Sequence, residues 1–411
     1  MNLKLTPTKL KGAVTPPPSK SYAHRALIAA ALAGGISTLH NLAFSQDITA
    51  TLNCMAAMGT GTEQLTSDCV RIHGLGHSIP QSGGHLPCFD CGESGSTLRF
   101  LIPIALAVVG GGQFTGRGRL MQRPQKPYFD LFDEKGIFYE QTDGVLTVRG
   151  TLTPGQYVLP GDVSSQFVTG LLYALPLLKG DSRILLTTAL ESRDYVEMTL
   201  AVMKHFGVTV TETADGWLVP GNQTYKPNSL TVEADWSQAG FFYAALGLNN
   251  PLDIQGMNPH SVQGDLRIVP YFEQLIREGD VELDVSQCPD LVPPLAAHAA
   301  LRRGTTRIVN AARLRIKESD RLATVTEVLN ALGANIEEHP DSLTVHGMDA
   351  LPGGVTVSAH NDHRIAMMAA VAATCCAHPI VITGAQCVAK SYPNFWEEYV
   401  RLGGIIEEVS Q

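Results

Sequence analysis

Apolar residues recur at helical spacing six times along the chain, and each run ends in a glycine followed by a segment that reads as a strand. The glycines are Gly59 (CMAAMG), Gly136 (LFDEKG), Gly207 (VMKHFG), Gly279 (LIREG), Gly333 (LNALG) and Gly403 (VRLG), at intervals of 77, 71, 72, 54 and 70 residues. Between them lies a second recurring unit, a polar tip followed by an Ala/Leu-rich run: PSKSYAHRALIAAALA, ESGSTLRFLIPIALA, GDVSSQFVTGLLYALPLL, EADWSQAGFFYAAL, CPDLVPPLAAHAAL and HNDHRIAMMAAVAA. Self-similarity of this kind predicts an architecture of stacked repeats. The Ala-rich runs are apolar nearly all round, so they read as helices buried at the centre of a domain. The runs before the glycines are amphipathic and read as outer helices. Segments 69–74 (CVRIHG), 145–150 (VLTVRG), 217–221 (WLVPG) and 343–347 (LTVHG) alternate apolar and polar residues up to a glycine, as half-buried strands do. Each repeat is therefore expected to run strand, helix, strand, helix, strand, strand.

Three such units per domain make two domains of α/β (α+β) class. The Pro-rich TPPPSKS (15–21) and the polar NQTYKPNSL (222–230) read as linkers. Because the first linker comes so early, the opening strand MNLKLTP is expected to cross and complete the second domain. The expected domains are 15–230, and 1–14 plus 231–411.

At 411 residues and 44% hydrophobic content the chain is long enough for two sizeable cores. A net charge of −9, with no basic run, argues against nucleic acid as a partner. The N-terminus lacks the apolar stretch of a secretory signal, and the longest apolar run, near Phe100 to Val109, is too short to span a bilayer. A cytoplasmic protein without a membrane partner is expected, and a monomer. Of the eight cysteines, Cys88 and Cys91 form a C-x-x-C pair, but no second pair completes a zinc set, so buried reduced thiols are the simpler reading.

The polar tips change this picture. A buried helix begins with unpaired N–H groups and the positive end of its dipole, which favour an anion. Lys20, Arg25, Arg99, Arg119, Arg123, Lys126, Arg193, Lys317, Arg321, Arg364 and Lys390 all lie at or beside the tips. One arginine at a helix end is ordinarily a solvated or capping residue. Eleven so placed point to a binder of small polyanions, since guanidinium forks match phosphate and carboxylate.

The segments SKSYAHRALIAAALA, ESGSTLRF, RPQKPYFDL, GDVSSQF, PDLVPPLA, RLRIKESDRL, NDHRIAM and AKSYPNFW, in this order and over nearly the whole chain, resemble the EPSP synthase (3-phosphoshikimate 1-carboxyvinyltransferase) family. The resemblance implies the two-domain enolpyruvyl transferase fold, each domain three βαβαββ repeats with pseudo-threefold symmetry and buried parallel helices, and an active site in the cleft between domains. It implies transfer of the enolpyruvyl group of phosphoenolpyruvate to the 5-hydroxyl of shikimate 3-phosphate, with release of phosphate, and glyphosate as an inhibitor. By the same resemblance Lys20, Ser21, Arg25, Ser164, Ser165, Gln166, Ser192, Tyr195, Asp290, Arg313 and Lys317 would contact shikimate 3-phosphate. Lys20, Gly95, Arg123, Gln166, Arg321, Arg364 and Lys390 would contact phosphoenolpyruvate. Asp290 would take the 5-hydroxyl proton, Glu318 would handle the proton at the methylene carbon, and Lys20 would serve both substrates.

The chemistry asks for the same inventory. Protonating the methylene carbon of an enol ether makes its neighbour electrophilic; an alcohol adds there, and the adduct collapses by losing phosphate. One base for the hydroxyl, one acid/base near the carbon and a set of cations suffice, with no metal or redox cofactor. Taken alone, Asp290 reads as a helix N-cap before LVPPLAA, Glu318 as the partner of Lys317 or Arg321 on a surface turn, and His24 and His363 as structural. Two positions depart from the family pattern: Glu93 stands where asparagine is frequent, and Arg313 where a shikimate-contacting asparagine is common. UDP-N-acetylglucosamine 1-carboxyvinyltransferases share the fold but carry a reactive cysteine on the loop that reads GGGQFTGRGRLMQRP here, which has none. A non-catalytic anion-binding scaffold is the other alternative, and Lys20, Asp290 and Glu318 argue against it.

Overall fold

The computed structural model describes residues 1–76 and 85–410. The chain forms two compact units, Pro18–Glu233, and Met1–Pro17 together with Ala234–Gln411. Each has its own apolar core.

In Pro18–Glu233 the helices are α1 (Lys20–Leu32), α2 (Gln46–Ala57), α3 (Gly95–Val108), α4 (Lys126–Lys135), α5 (Ser165–Ala174) and α6 (Arg193–His205). The second unit holds α7 (Trp236–Gly247), α8 (Ile268–Leu275), α9 (Val292–Ala299), α10 (Arg321–Ala331), α11 (His363–Ala373) and α12 (Phe395–Arg401). The odd-numbered helices are the Ala/Leu-rich ones and lie inside: every residue of α1 from Ala23 to Leu32 is buried, and so is all of α11. The even-numbered helices bury one face. α4 ends in Gly136 at φ 65°, the left-handed C-cap that glycine adopts without a Cβ penalty.

One repeat shows the rule for most. Strand Cys88–Asp90 runs parallel to Gly111–Thr115, with α3 as the crossover. That strand pairs antiparallel with Val145–Arg149, which in turn pairs with Phe138–Thr142. Strands at Cys69–His73, Gly216–Val219 and Leu343–His346 occupy the same hairpin position as Val145–Arg149, within a residue or two of the segments the alternation marked. The first repeat borrows its edge strand from the end of the same unit, Ser229–Thr231 alongside Ile36–His40. The last repeat borrows from the start of the chain: Asn2–Thr6 pairs with both Ile380–Thr383 and Ile405–Glu408.

The repeat that ends at Gly279 departs from the expected pattern. After α8 the chain passes directly into Val281–Asp284, which is the parallel edge strand of the next sheet, so no hairpin of its own follows. The missing hairpin accounts for the short interval to Gly333.

Side chains cap five of the six inner helices. Ser19, Ser94 and Ser164 accept from the N–H of Tyr22, Thr97 and Gln166; Asp235 accepts from Ser237 and Gln238, and Asp362 from Arg364. Only α9 has no side-chain cap; it starts through a 3-10 turn, Pro289–Leu291. Of the C-x-x-C pair, Cys88 is exposed and Cys91 is buried, where a hydrogen bond with Cys54 and burial push its thiol well above the usual range. No helix among the described residues is long and apolar enough to cross a membrane.

The inner helices approach closely. A Cβ built on Gly247 of α7 would stand 2.2 Å from Cε1 of His298 on α9, a contact no real side chain makes. Burial, helped by Arg302, lowers the His298 imidazole to about 4. The unfolded chain takes up this proton near pH 6.5, the folded one only near pH 4. Stability from this group is therefore complete above pH 6.5 and falls as the pH drops, by up to about 3 kcal/mol. Urea unfolding of the wild type and of His298→Gln at pH 7 and pH 5 checks it: the variant should lose less on acidification, and equal losses would sink the assignment.

Candidate active site

In Pro18–Glu233 the candidate residues gather at the N-terminal tips of the inner helices. Lys20 opens α1 and pairs with Asp47 in the first turn of α2, Nζ to Oδ2 at 2.8 Å, both largely buried. Gly95 opens α3, and a Cβ there would lie 2.6 Å from Nη1 of Arg123 and 3.4 Å from Oε1 of Gln166. The amide of Gln166, in the first turn of α5, is fixed at both ends: Oε1 accepts from Arg99 at 2.9 Å, and Nε2 donates to the Ser96 hydroxyl at 3.0 Å. Arg99 also donates to the Pro124 carbonyl and lies over the Phe167 ring. Glycine at position 95 thus lets a guanidinium stand directly against the helix start.

Ser164 caps α5, and Ser165 beside it is buried. Ser192 precedes α6 at φ 54°, a left-handed conformation that costs a non-glycine residue on the order of 1 kcal/mol and tends to be retained where function holds it. Arg25 is buried; its three nitrogens donate to Thr199 Oγ1 and to the carbonyls of Ser21 and Tyr195, and its guanidinium faces the rings of Phe100 and Tyr195. Ser21 and Tyr195 are thereby tied to Arg25 through their backbones.

In the other unit the candidates centre on Arg321, the first residue of α10, whose side chain is 1% exposed. Its fork meets three carboxylates: Nε and Nη2 donate to Asp362 at 2.7 and 3.2 Å, Nη1 to Asp290 at 2.8 Å, and Nη2 to Glu318 at 2.6 Å. Arg364, next to the α11 cap, donates to the Asp290 carboxylate at 3.2 Å and to its carbonyl at 3.1 Å. Lys317 adds a third cation 3.5 Å from Asp290. Burial alone would raise the Asp290 carboxyl, but Arg364, Lys317 and Arg321 outweigh it and hold the group well below the usual carboxylate range. Burial lowers Lys317, with Asp290 opposing. Arg321 is raised, because Asp362, Glu318 and Asp290 together overcome its desolvation.

Asp290 is therefore not the N-cap of α9 that its position suggests; its carboxylate faces cations from α10 and α11. Glu318 does pair with Arg321. Arg313 donates to the Ser286 carbonyl. Lys390 is buried and donates to the carbonyl of Asn361, which stands at φ 53°. Three of the eleven basic residues are exposed: Arg119 ahead of the turn Leu120–Gln122, Lys126, which pairs with Asp130 on the outer face of α4, and Arg193, which pairs with Glu197 and Glu212. Such pairs are worth little and shape no site.

The sequence pattern missed two carboxylates. Asp47 looks like any acid in a first turn, following the Ser45 cap. Asp362 looks like an ordinary cap before an apolar run. In the structure it is wholly buried and does two further jobs: Oδ1, which caps α11, also accepts from Arg321 Nη2, and Oδ2 accepts from Arg321 Nε and the Ser319 hydroxyl.

A family model for EPSP synthase (3-phosphoshikimate 1-carboxyvinyltransferase) matches residues 5–399. The chain belongs to this family. It is 45% identical to the 3-phosphoshikimate 1-carboxyvinyltransferase of Clostridium kluyveri, covering 99% of each chain. It is 43% identical to that of Clostridium beijerinckii, covering 99% of this chain and 98% of the relative. Among solved structures, the EPSP synthase of Acinetobacter baumannii superposes with a TM-score of 0.80 over 100% of both chains at 25% identity. The enolpyruvyl transferase NikO of Streptomyces tendae shares the fold, with a TM-score of 0.76 at 18% identity. The two-domain enolpyruvyl transferase fold that the resemblance implied is thus that of the family.

Removing one partner of a buried ion cluster leaves charge uncompensated, at a cost of about 3–5 kcal/mol. Asp362→Asn is expected near the lower end, since Arg321 keeps Asp290 and Glu318. Urea unfolding should show a loss of about 3 kcal/mol. A loss below about 1 kcal/mol would mean the cluster is not held by Asp362.

Proposed function

We propose that the protein transfers the enolpyruvyl group of phosphoenolpyruvate to the 5-hydroxyl of shikimate 3-phosphate and releases phosphate. The observation that carries this reading is the Asp290 cluster: a base and a second carboxylate, Glu318, held within one shell of three cations. Family membership favours this acceptor over UDP-N-acetylglucosamine.

In this proposal Lys20, Ser21, Arg25, Ser164, Ser165, Gln166, Ser192, Tyr195, Asp290, Arg313 and Lys317 hold shikimate 3-phosphate. Gly95, Arg123 and Gln166, with Arg321, Arg364 and Lys390, receive phosphoenolpyruvate. Glu318 delivers a proton to the methylene carbon, Asp290 takes the proton of the 5-hydroxyl, and oxygen bonds to the electrophilic carbon. Phosphate then leaves as a proton returns from the new methyl group to the Glu318 carboxylate.

Asp290 cannot accept that proton while three cations hold it. The phosphate and carboxylate groups of the substrates compete for Lys317 and Arg364, and drawing these cations away raises the basicity of Asp290 when both substrates are present. Arg321 stays behind, fastened by Asp362 and Glu318. Phosphate release on mixing the two substrates tests the function; release with UDP-N-acetylglucosamine in place of shikimate 3-phosphate, and none with the latter, would replace it.

Asp290→Asn is expected to lower kcat by about 10²–10⁴-fold while shikimate 3-phosphate still binds, as loss of a general base does. Unchanged turnover would remove Asp290 from the role. Gly95→Ala puts a methyl 2.6 Å from Arg123 Nη1, so that the guanidinium must move. The longer ligand glyphosate should be weakened more than phosphoenolpyruvate, by roughly 10- to 100-fold. The inhibition constant and the KM for phosphoenolpyruvate, measured in both proteins, decide it: equal proportional changes would show that Gly95 does not discriminate.

A further inference from the structure

His24 lies one helical turn below Lys20 on α1, and Thr51 one turn below Asp47 on α2. Residues four apart share a helix face, so the two helices meet through two parallel rungs. The outer rung is the Lys20–Asp47 ion pair at 2.8 Å. The inner rung is His24 Nδ1 to Thr51 Oγ1 at 2.7 Å, with the His24 side chain fully buried. The chain of bonds continues into α3: Thr51 Oγ1 lies 2.7 Å from Thr97 Oγ1, and Thr97 Oγ1 donates to Ser94 Oγ at 2.7 Å. Ser94 is the cap of α3 and the residue before Gly95.

A hydroxyl has one proton to give, and this fixes the direction of the chain. Thr97 spends its proton on Ser94, so the 2.7 Å contact between Thr51 and Thr97 takes the Thr51 proton, whose other acceptor, the Asp47 carbonyl, lies farther away at 3.4 Å, and Thr51 then accepts from His24. The imidazole is therefore the Nδ1–H tautomer. Its Nε2 is a bare acceptor, buried and without a hydrogen-bond partner. Burial, with Lys20 and Arg25 close by, keeps the ring neutral by lowering it well below its usual value. An unsatisfied buried acceptor costs on the order of 1 kcal/mol, so a histidine is a poor choice here if stability were its only purpose.

We propose that His24 is a positioning residue: through Thr51, Thr97 and Ser94 it sets the spacing between the Lys20–Asp47 pair and the Gly95 tip of α3. The cation and the open helix start, which lie on separate elements, are held in register by a chain of four side chains with one polarity. The effect on catalysis rests on the function proposed above; the positioning itself does not.

Asparagine can place its amide where Nδ1 sits, glutamine where Nε2 sits. His24→Asn should keep kcat/KM for phosphoenolpyruvate within about twofold of the wild type, whereas His24→Gln and Thr51→Val should lower it by about 10- to 100-fold at temperatures far below their Tm, as misplacement of a positioned group does. In the double variant His24→Gln/Thr51→Val the loss should equal that of one single change, because both break the same chain. Nitrogen NMR of the full chain supplies a readout that needs no turnover: the wild type should show His24 with a protonated Nδ1 and an unprotonated Nε2, and the Lys20 ammonium signal should shift in Thr51→Val but not in His24→Asn. Kinetic constants within twofold in His24→Gln, multiplicative losses in the double variant, or an unmoved Lys20 signal in Thr51→Val would each overturn the proposal. A wild type that releases no phosphate fails the functional reading alone, and the NMR comparison then decides the positioning.

Discussion

A helix buried on every side can present polar groups only at its ends, and this constraint organises both units. The odd-numbered helices carry no polar face, so their first-turn N–H groups and the positive ends of their dipoles are concentrated at the tips. Serine or aspartate caps satisfy part of that need at five of the six starts. Lys20, Gly95, Gln166, Asp290 and Arg364 lie around the same starts, while Arg321, with Lys317 and Glu318 just before it, opens the outer helix α10. Stability and chemistry thus draw on one feature: the end of a helix that packing has left nowhere else to be polar.

The two clusters handle charge differently. Around Arg321, a buried guanidinium is made tolerable by three carboxylates, and the second oxygen of Asp290 takes Arg364. Every charge there has a partner of opposite sign, as burial demands. Arg364, Lys317 and Arg321 outweigh burial and hold the Asp290 carboxylate ionised, well below the usual carboxylate range. Around Gly95 the solution is steric: the absent side chain lets Arg123 approach the helix start, and Gln166 is held by Arg99 and Ser96 at its side. One site is tuned by ion pairing, the other by the removal of a methyl group.

Buried hydrogen bonds hold these groups in place. Arg25 spends its donors on Thr199 and two carbonyls, fastening α1 to α6. His24, Thr51, Thr97 and Ser94 do the same for α1, α2 and α3. In a low-dielectric interior such bonds are costly to leave unmade, so they fix side chains to a degree that surface pairs such as Lys126–Asp130 do not.

What the sequence determined is what short range can encode. The six helix starts, the strand after each glycine and the short interval at Gly333 follow from spacing alone, because helix and strand periodicity are set by near neighbours. The residue types of the site were legible for the same reason: SKS, ESGS, VSSQ, KESDR and NDHR sit at helix starts. Tertiary structure decided which charges meet. Asp290 reads locally as a cap, yet it faces Arg321 and Arg364, 31 and 74 residues away. Asp47 reads as a first-turn acid and Asp362 as a cap, and they became partners of Lys20 and Arg321. Arg193 and Lys126 looked like members of the set and lie on exposed faces instead. Ion pairing depends on distance in space between elements that the chain brings together only on folding, and no local pattern records that distance.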